Sequence, residues 1–89
     1  MTDITDIITM DKLEMGQNFF ILTVGGKEEM RQRLEDLGFV SGTRVVSLMK
    51  SPLGDPVAYF VRGTVIALRR EDAASVLGSI SSASEVRGT

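Results

Sequence analysis

Cysteine, histidine and tryptophan are all absent from this 89-residue chain, and it holds only two prolines and a single tyrosine. Without cysteine there can be no disulfide, no thiolate metal site and no thiol nucleophile. Without histidine the commonest transition-metal ligand and general base is missing. With no tryptophan and only Tyr59, the chain lacks the aromatics of a groove for proline-rich peptides. No apolar run approaches the roughly 20 residues that span a bilayer. The opening MTDITDIITMD carries aspartates and no basic cluster, so it does not read as a signal peptide. The net charge of −2 supplies no basic field for phosphates. The expected location is therefore the cytoplasm.

What is present is an ordinary folded composition, 43% apolar and 25% charged, at a length that suits one domain. Such a domain hides roughly 60–65% of its unfolded surface, so its stability must come from packing. The segment up to Met10 does not read as a complete element alone. DKLEMGQ (11–17) predicts a turn or a single helical turn, anchored by Leu13 and Met15. NFFILTV (18–24) predicts a buried first strand, stopped by Gly25-Gly26. In KEEMRQRLEDLG (27–38), Met30, Leu34 and Leu37 recur at helical spacing. Opposite charges stand four apart at Glu29/Arg33 and Arg31/Glu35. Gly38 is placed to end that helix in a left-handed conformation, with Phe39 as the accompanying apolar contact.

TRVVSLMK (43–50), VAYFVR (57–62) and TVIALR (64–69) predict a meander, with Arg62-Gly63 as a tight reversal. REDAASVLG (70–78) predicts a short helix with Ala73, Val76 and Leu77 on one side and Gly78 as its stop. Ile80 is the residue beyond it that can pair into a closing strand. The expected class is mainly β with short helices. Its form is a small SH3-like β-barrel of five bent strands, one helix inserted after the first strand, and a short C-terminal helix.

Candidate chemistry is sparse. The pairs Glu28-Glu29, Glu35-Asp36 and Glu71-Asp72 are neighbours that splay about 100° apart on a helix, so none converges on one proton or metal. The serines have no evident base. Arg62, Arg69 and Arg70 lie close together, but Glu71 and Asp72 follow at once and no aromatics interleave to stack bases. VGGK precedes a helix but lacks the full phosphate-loop spacing. No catalytic, cofactor-binding or metal-ligating residue is expected.

From Leu13 onwards the chain resembles the FeoA family. The resemblance is carried by LEMGQ, RLEDLGFVSGTRVVSL and SPLGDPVAYFVRGTVIALRREDAASV, over residues 13–77. It implies an SH3-like barrel and a non-enzymatic accessory role in bacterial ferrous iron uptake. The implied partner is the cytosolic, GTPase-containing part of the membrane transporter FeoB, which would hold the protein peripherally at the inner membrane. A related domain closes iron-dependent repressors of the diphtheria-toxin-repressor type. That gives a second reading; weak Fe²⁺ sensing through carboxylates gives a third.

The expected layout is an N-terminal extension at 1–12, the FeoA-type domain at 13–80 and a serine-rich tail at 81–89. The expected partner contact is the helix end Leu37-Gly38-Phe39-Val40 with the loop Pro52-Leu53-Gly54-Asp55; self-association is left open. Within SPLGDP (51–56), Ser51, Pro52 and Gly54 suit a type I turn, and Pro56 can open the next strand. Leu53 is apolar where a turn tip asks for something polar. It is expected to pack back over the barrel mouth, the alternative being a contact for the transporter.

Overall fold

The computed structural model describes residues 5–50 and 52–81. β1 (Thr5–Thr9) leads into one turn of 3₁₀ helix (Met10–Lys12), β2 (Asn18–Val24) and α1 (Glu28–Asp36). β3 (Arg44–Lys50), β4 (Val57–Val61) and β5 (Thr64–Leu68) form the expected meander, followed by α2 (Arg70–Ala73) and β6 (Val76–Ser81). All pairings are antiparallel, in the order β1-β6-β2-β3-β4-β5. The mainly β class with short helices is as expected, but the sheet stays open, with β1 and β5 as its two edges.

Several local expectations are corrected. Thr5–Thr9 is a strand because β6 completes it, pairing Thr5 with Ser81 through to Thr9 with Leu77. Met10 beside it is fully buried, so the expected extension contributes to the core. The helix expected over 70–78 stops at Ala73, and Val76–Ser81 becomes a strand lying between β1 and β2. Ala73 and Val76 are both buried, as helical spacing suggested, but they belong to different elements. Ser81 closes β6; the rest of the serine-rich tail lies outside the described residues.

Gly78 therefore terminates nothing. It sits mid-strand opposite Ile21 and Ile8. A Cβ there would lie 2.4 Å from Phe19 Cζ and 2.5 Å from the Phe20 carbonyl oxygen. Only a residue without a side chain lets the Phe19 ring lie against the β6 backbone. NFFILTV is likewise not buried on both faces: Phe19, Ile21 and Val24 enter the core, while Phe20 and Leu22 remain exposed. Shifts of register at Ile21/Thr23 in β2 and Ser47/Met49 in β3 mark bulges, which bend and twist a sheet.

One core joins the strands to Leu34 of α1, Met10, Leu13 and Ala73. Met15, expected as an anchor, is exposed instead. The end of α1 is a Schellman motif. Gly38 at φ +111° donates its N–H to the Glu35 carbonyl (3.0 Å), and Phe39 donates to that of Leu34 (3.0 Å). No helix among the described residues is long and apolar enough to cross a membrane.

Gly78→Ala is expected to lower unfolding free energy by about 3 kcal/mol, the upper range for overpacking a core, because backbone as well as a ring must move. Denaturant unfolding measures this. A loss no larger than that of an exposed glycine substitution would show that β6 does not depend on the close approach.

Candidate functional site

The Lys50–Val57 pair closes β3 and β4 around residues 51–56, so SPLGDP is the whole connection. Ser51, and with it the expected turn type, lies outside the described residues. The base of the loop is tied down. Asp55 precedes Pro56 across a cis peptide bond, and its Oδ1 accepts the Arg70 N–H at 2.9 Å. That contact satisfies one of the donors which the start of α2 would otherwise leave open. Asp55 thus holds structure together and is half-buried.

Gly54 takes φ +85°, and Pro52 and Leu53 stand at the tip. Leu53 is 93% exposed, so it does not pack back over the sheet. A leucine held in water at the tip of a turn departs from the polar residue that such a position favours.

The helix end falls elsewhere. Gly38 stands against Arg62, since a Cβ at 38 would come within 3.0 Å of Arg62 Cδ and 3.8 Å of a Val61 methyl. β4 runs from Val57, beside the SPLGDP loop, to Val61, beside Gly38. The two expected contact segments thus lie at opposite ends of that strand, roughly 13 Å apart at the usual rise per residue. Leu37 is exposed, and Val40 and Gly38 are half-buried. Phe39 is corrected: at 0% exposure it is part of the core and offers nothing to a partner. The Schellman geometry turns its side chain inward.

Beside the helix end lies a feature that the sequence reading passed over. A groove of about 230 Å³ is lined by Thr43, Arg44, Phe60, Arg62 and Gly63. Arg62 is the one described non-glycine residue with positive φ, +52°, and Gly63 follows at +81°. Both central residues of the β4–β5 turn thus have positive φ, as a type I′ turn requires, a setting that favours Asn-Gly. That mismatch between residue and turn was the available signal.

The most perturbed titratable group lies in the core. Tyr59 is buried, and its hydroxyl donates to the Met10 carbonyl at 3.3 Å. Burial, and then the charge of Asp11, push its pKa from 10.0 up to about 12; Arg70 opposes this and Asp55 adds to it. A phenol held protonated in this way serves packing and is no nucleophile at neutral pH. Among the described residues no group of three or more acidic side chains gathers to hold a metal ion.

Comparison with known proteins agrees with this geometry. A family model, the FeoA domain, matches residues 8–79. A relative from Porphyromonas gingivalis, an Fe(2+) transport protein A/Fe(2+) transporter FeoB fusion protein, is 36% identical over 67 residues. The match takes in 75% of this chain and 8% of that protein, so the chain spans only a small part of its relative. The solution structure of FeoA from Chlorobium tepidum superposes with a TM-score of 0.77 at 30% identity, covering 82% of this chain and 70% of that one. Stenotrophomonas maltophilia FeoA, solved with zinc and described as a prokaryotic SH3 domain protein, gives 0.72 at 29% identity, covering 80% and 88%. The SH3-like class thus stands, with an open sheet.

Tyr59 is the sole tyrosine, so its ionisation can be followed by near-ultraviolet absorbance. The folded protein should keep its phenol protonated at pH 10 and ionise near pH 12. Between those values the unfolded chain releases a proton that the folded chain retains. Stability from this group is therefore complete below about pH 10 and is lost as the pH rises through about 12. Ionisation at the ordinary phenol value, with no loss of stability over that window, would contradict the burial of Tyr59.

Proposed function

The chain belongs to the FeoA family, and from that premise we propose that it is a non-enzymatic accessory protein of ferrous iron uptake that docks on the cytosolic part of FeoB. The observation that carries this reading is the P. gingivalis fusion, in which a domain like this one and the transporter share one polypeptide. Fusion holds two modules at high effective concentration, which rewards association between them. On this reading the iron ion is the transporter's cargo, and the contribution of this chain is a contact surface.

Leu53 is the proposed anchor of that contact. It is 93% exposed on a loop whose base is fixed by the Asp55–Arg70 bond. A preorganised loop loses little entropy on docking. Covering a leucine fully returns about 1.5–3 kcal/mol, which corresponds to a tenfold or larger change in affinity. Exposed Leu37 marks the second proposed point of contact, at the far end of β4.

The test is co-purification and calorimetry of this chain with the cytosolic part of FeoB in its nucleotide-free, GDP and GTP states. Leu53→Ser is expected to weaken binding by at least about tenfold while leaving the melting temperature unchanged. Absence of association in every nucleotide state, together with normal iron uptake in cells lacking this protein, would refute the proposal.

A further inference from the structure

Arg44 opens β3 and Arg62 follows β4, each next to one member of the Val45–Val61 pair, and both line the groove. Both are exposed, and neither forms an ion pair or side-chain hydrogen bond with a described residue. Two like charges that line one groove repel each other unless an anion lies between them. Arg62 also keeps its backbone at φ +52°, where an L-residue is strained and Asn or Gly would be relaxed. The missing side chain of Gly38 leaves room for the Arg62 stem, which passes within 3.0 Å of where a Cβ would be. The aliphatic stem of Arg62 is thus seated against the helix end.

The surroundings give the chemistry of the ligand. Phe60 lines the groove between the two arginines, and Phe20 is paired with Arg44 on the next strand. Both rings are exposed, and the row beyond continues through Val46 and Val65, which pair with Phe60. At about 230 Å³ the groove is smaller than the usual small-molecule pocket, and its size suits one or two side chains. Two arginines on a chain of net charge −2 make no phosphate-tracking stripe. They do match a carboxylate, which guanidinium recognises in a planar, bidentate way.

We infer that the Arg44–Phe60–Arg62 groove binds an acidic, partly apolar peptide segment of a protein partner, with Asp or Glu between the arginines and an apolar side chain over Phe60. The bound carboxylate relieves the repulsion between the two guanidinium groups. The inference rests on the reading that the domain works by docking to another protein, but it concerns a different end of the molecule from Leu53.

The probe is the capped, fluorescein-labelled peptide Gly-Asp-Glu-Leu-Phe-Glu-Gly, beside its counterpart with Asn and Gln replacing the acids. Binding to the full chain is followed by anisotropy at low and high salt. The acidic peptide should bind saturably and more weakly as salt rises, and the amide peptide about tenfold more weakly than the acidic one. Arg44→Gln and Arg62→Asn should each cost about tenfold in affinity, while Arg31→Gln on the exposed face of α1 costs nothing. Arg62→Asn should leave the melting temperature unchanged or raised, because Asn-Gly suits the turn. That result separates lost binding from lost folding.

Equal binding of both peptides, full affinity in Arg62→Asn, or stronger competition by inorganic phosphate or oligothymidylate than by the unlabelled peptide would each overturn the inference. If the peptide fails while FeoB still co-purifies, the groove assignment falls and the docking proposal stands. If the peptide binds while FeoB does not, the reverse holds.

Discussion

The architecture depends on one close approach, that of the Phe19 ring to the bare backbone of Gly78. β6 is the strand that joins the N-terminal β1 to the rest of the sheet, and it can lie against β2 only because position 78 lacks a side chain. Phe19 fills the space so left and is itself fully buried. With β6 in place, Thr5–Thr9 acquires a partner and Met10 is drawn into the core. The Tyr59 hydroxyl then meets the Met10 carbonyl, and the Gly25 N–H reaches the Ser75 carbonyl at 2.7 Å. A single absent methyl thus links both ends of the described chain to its middle.

The same frame fixes what the surface can offer. The two proposed points of contact stand at opposite ends of β4. At one end Asp55 accepts the N–H of Arg70 at the start of α2, and Leu53 stands exposed two residues before Asp55. At the other, Gly38 ends α1 and makes room for Arg62, which closes the β4–β5 turn. Local rules are broken at both places, by a leucine at a turn tip and by an arginine at positive φ. Residues that break local rules without a stabilising return are where function is expected. No catalytic constellation is needed for this account. On the proposed reading, two separated points of contact suit a small domain to holding or biasing a larger partner.

Much of this was legible in the sequence, and the failures have common causes. α1, its Gly38 terminus, the meander of β3 to β5 and the Arg62-Gly63 reversal all follow from short-range chemistry that a single segment contains. The β1–β6 pairing does not, because its partners stand at opposite ends of the chain and neither segment is a strand by itself. Ala73, Val76 and Leu77 have the spacing of a helix face, and tertiary packing overrode it once β6 could enter the sheet. Gly78 looked like a stop because glycine as a breaker and glycine as a contact site are identical in sequence. Phe39 and Leu53 are expected on the same surface, yet one is core and the other bare. Only the cap geometry and the loop anchor, both three-dimensional facts, distinguish them. The open sheet has the same origin, since one of its two edges is β1, a strand that its own segment does not announce.

The account's central claim is that this domain meets the transporter through the two ends of β4. Amide-resolved NMR of the labelled chain, titrated with the cytosolic GTPase-containing part of FeoB, tests it most directly. The account predicts saturable shifts concentrated at residues 37–38, 53–54 and 62–63, with the β1 edge and the core unchanged. Shifts confined to the β1–β6 side, or none at saturating partner, would contradict it.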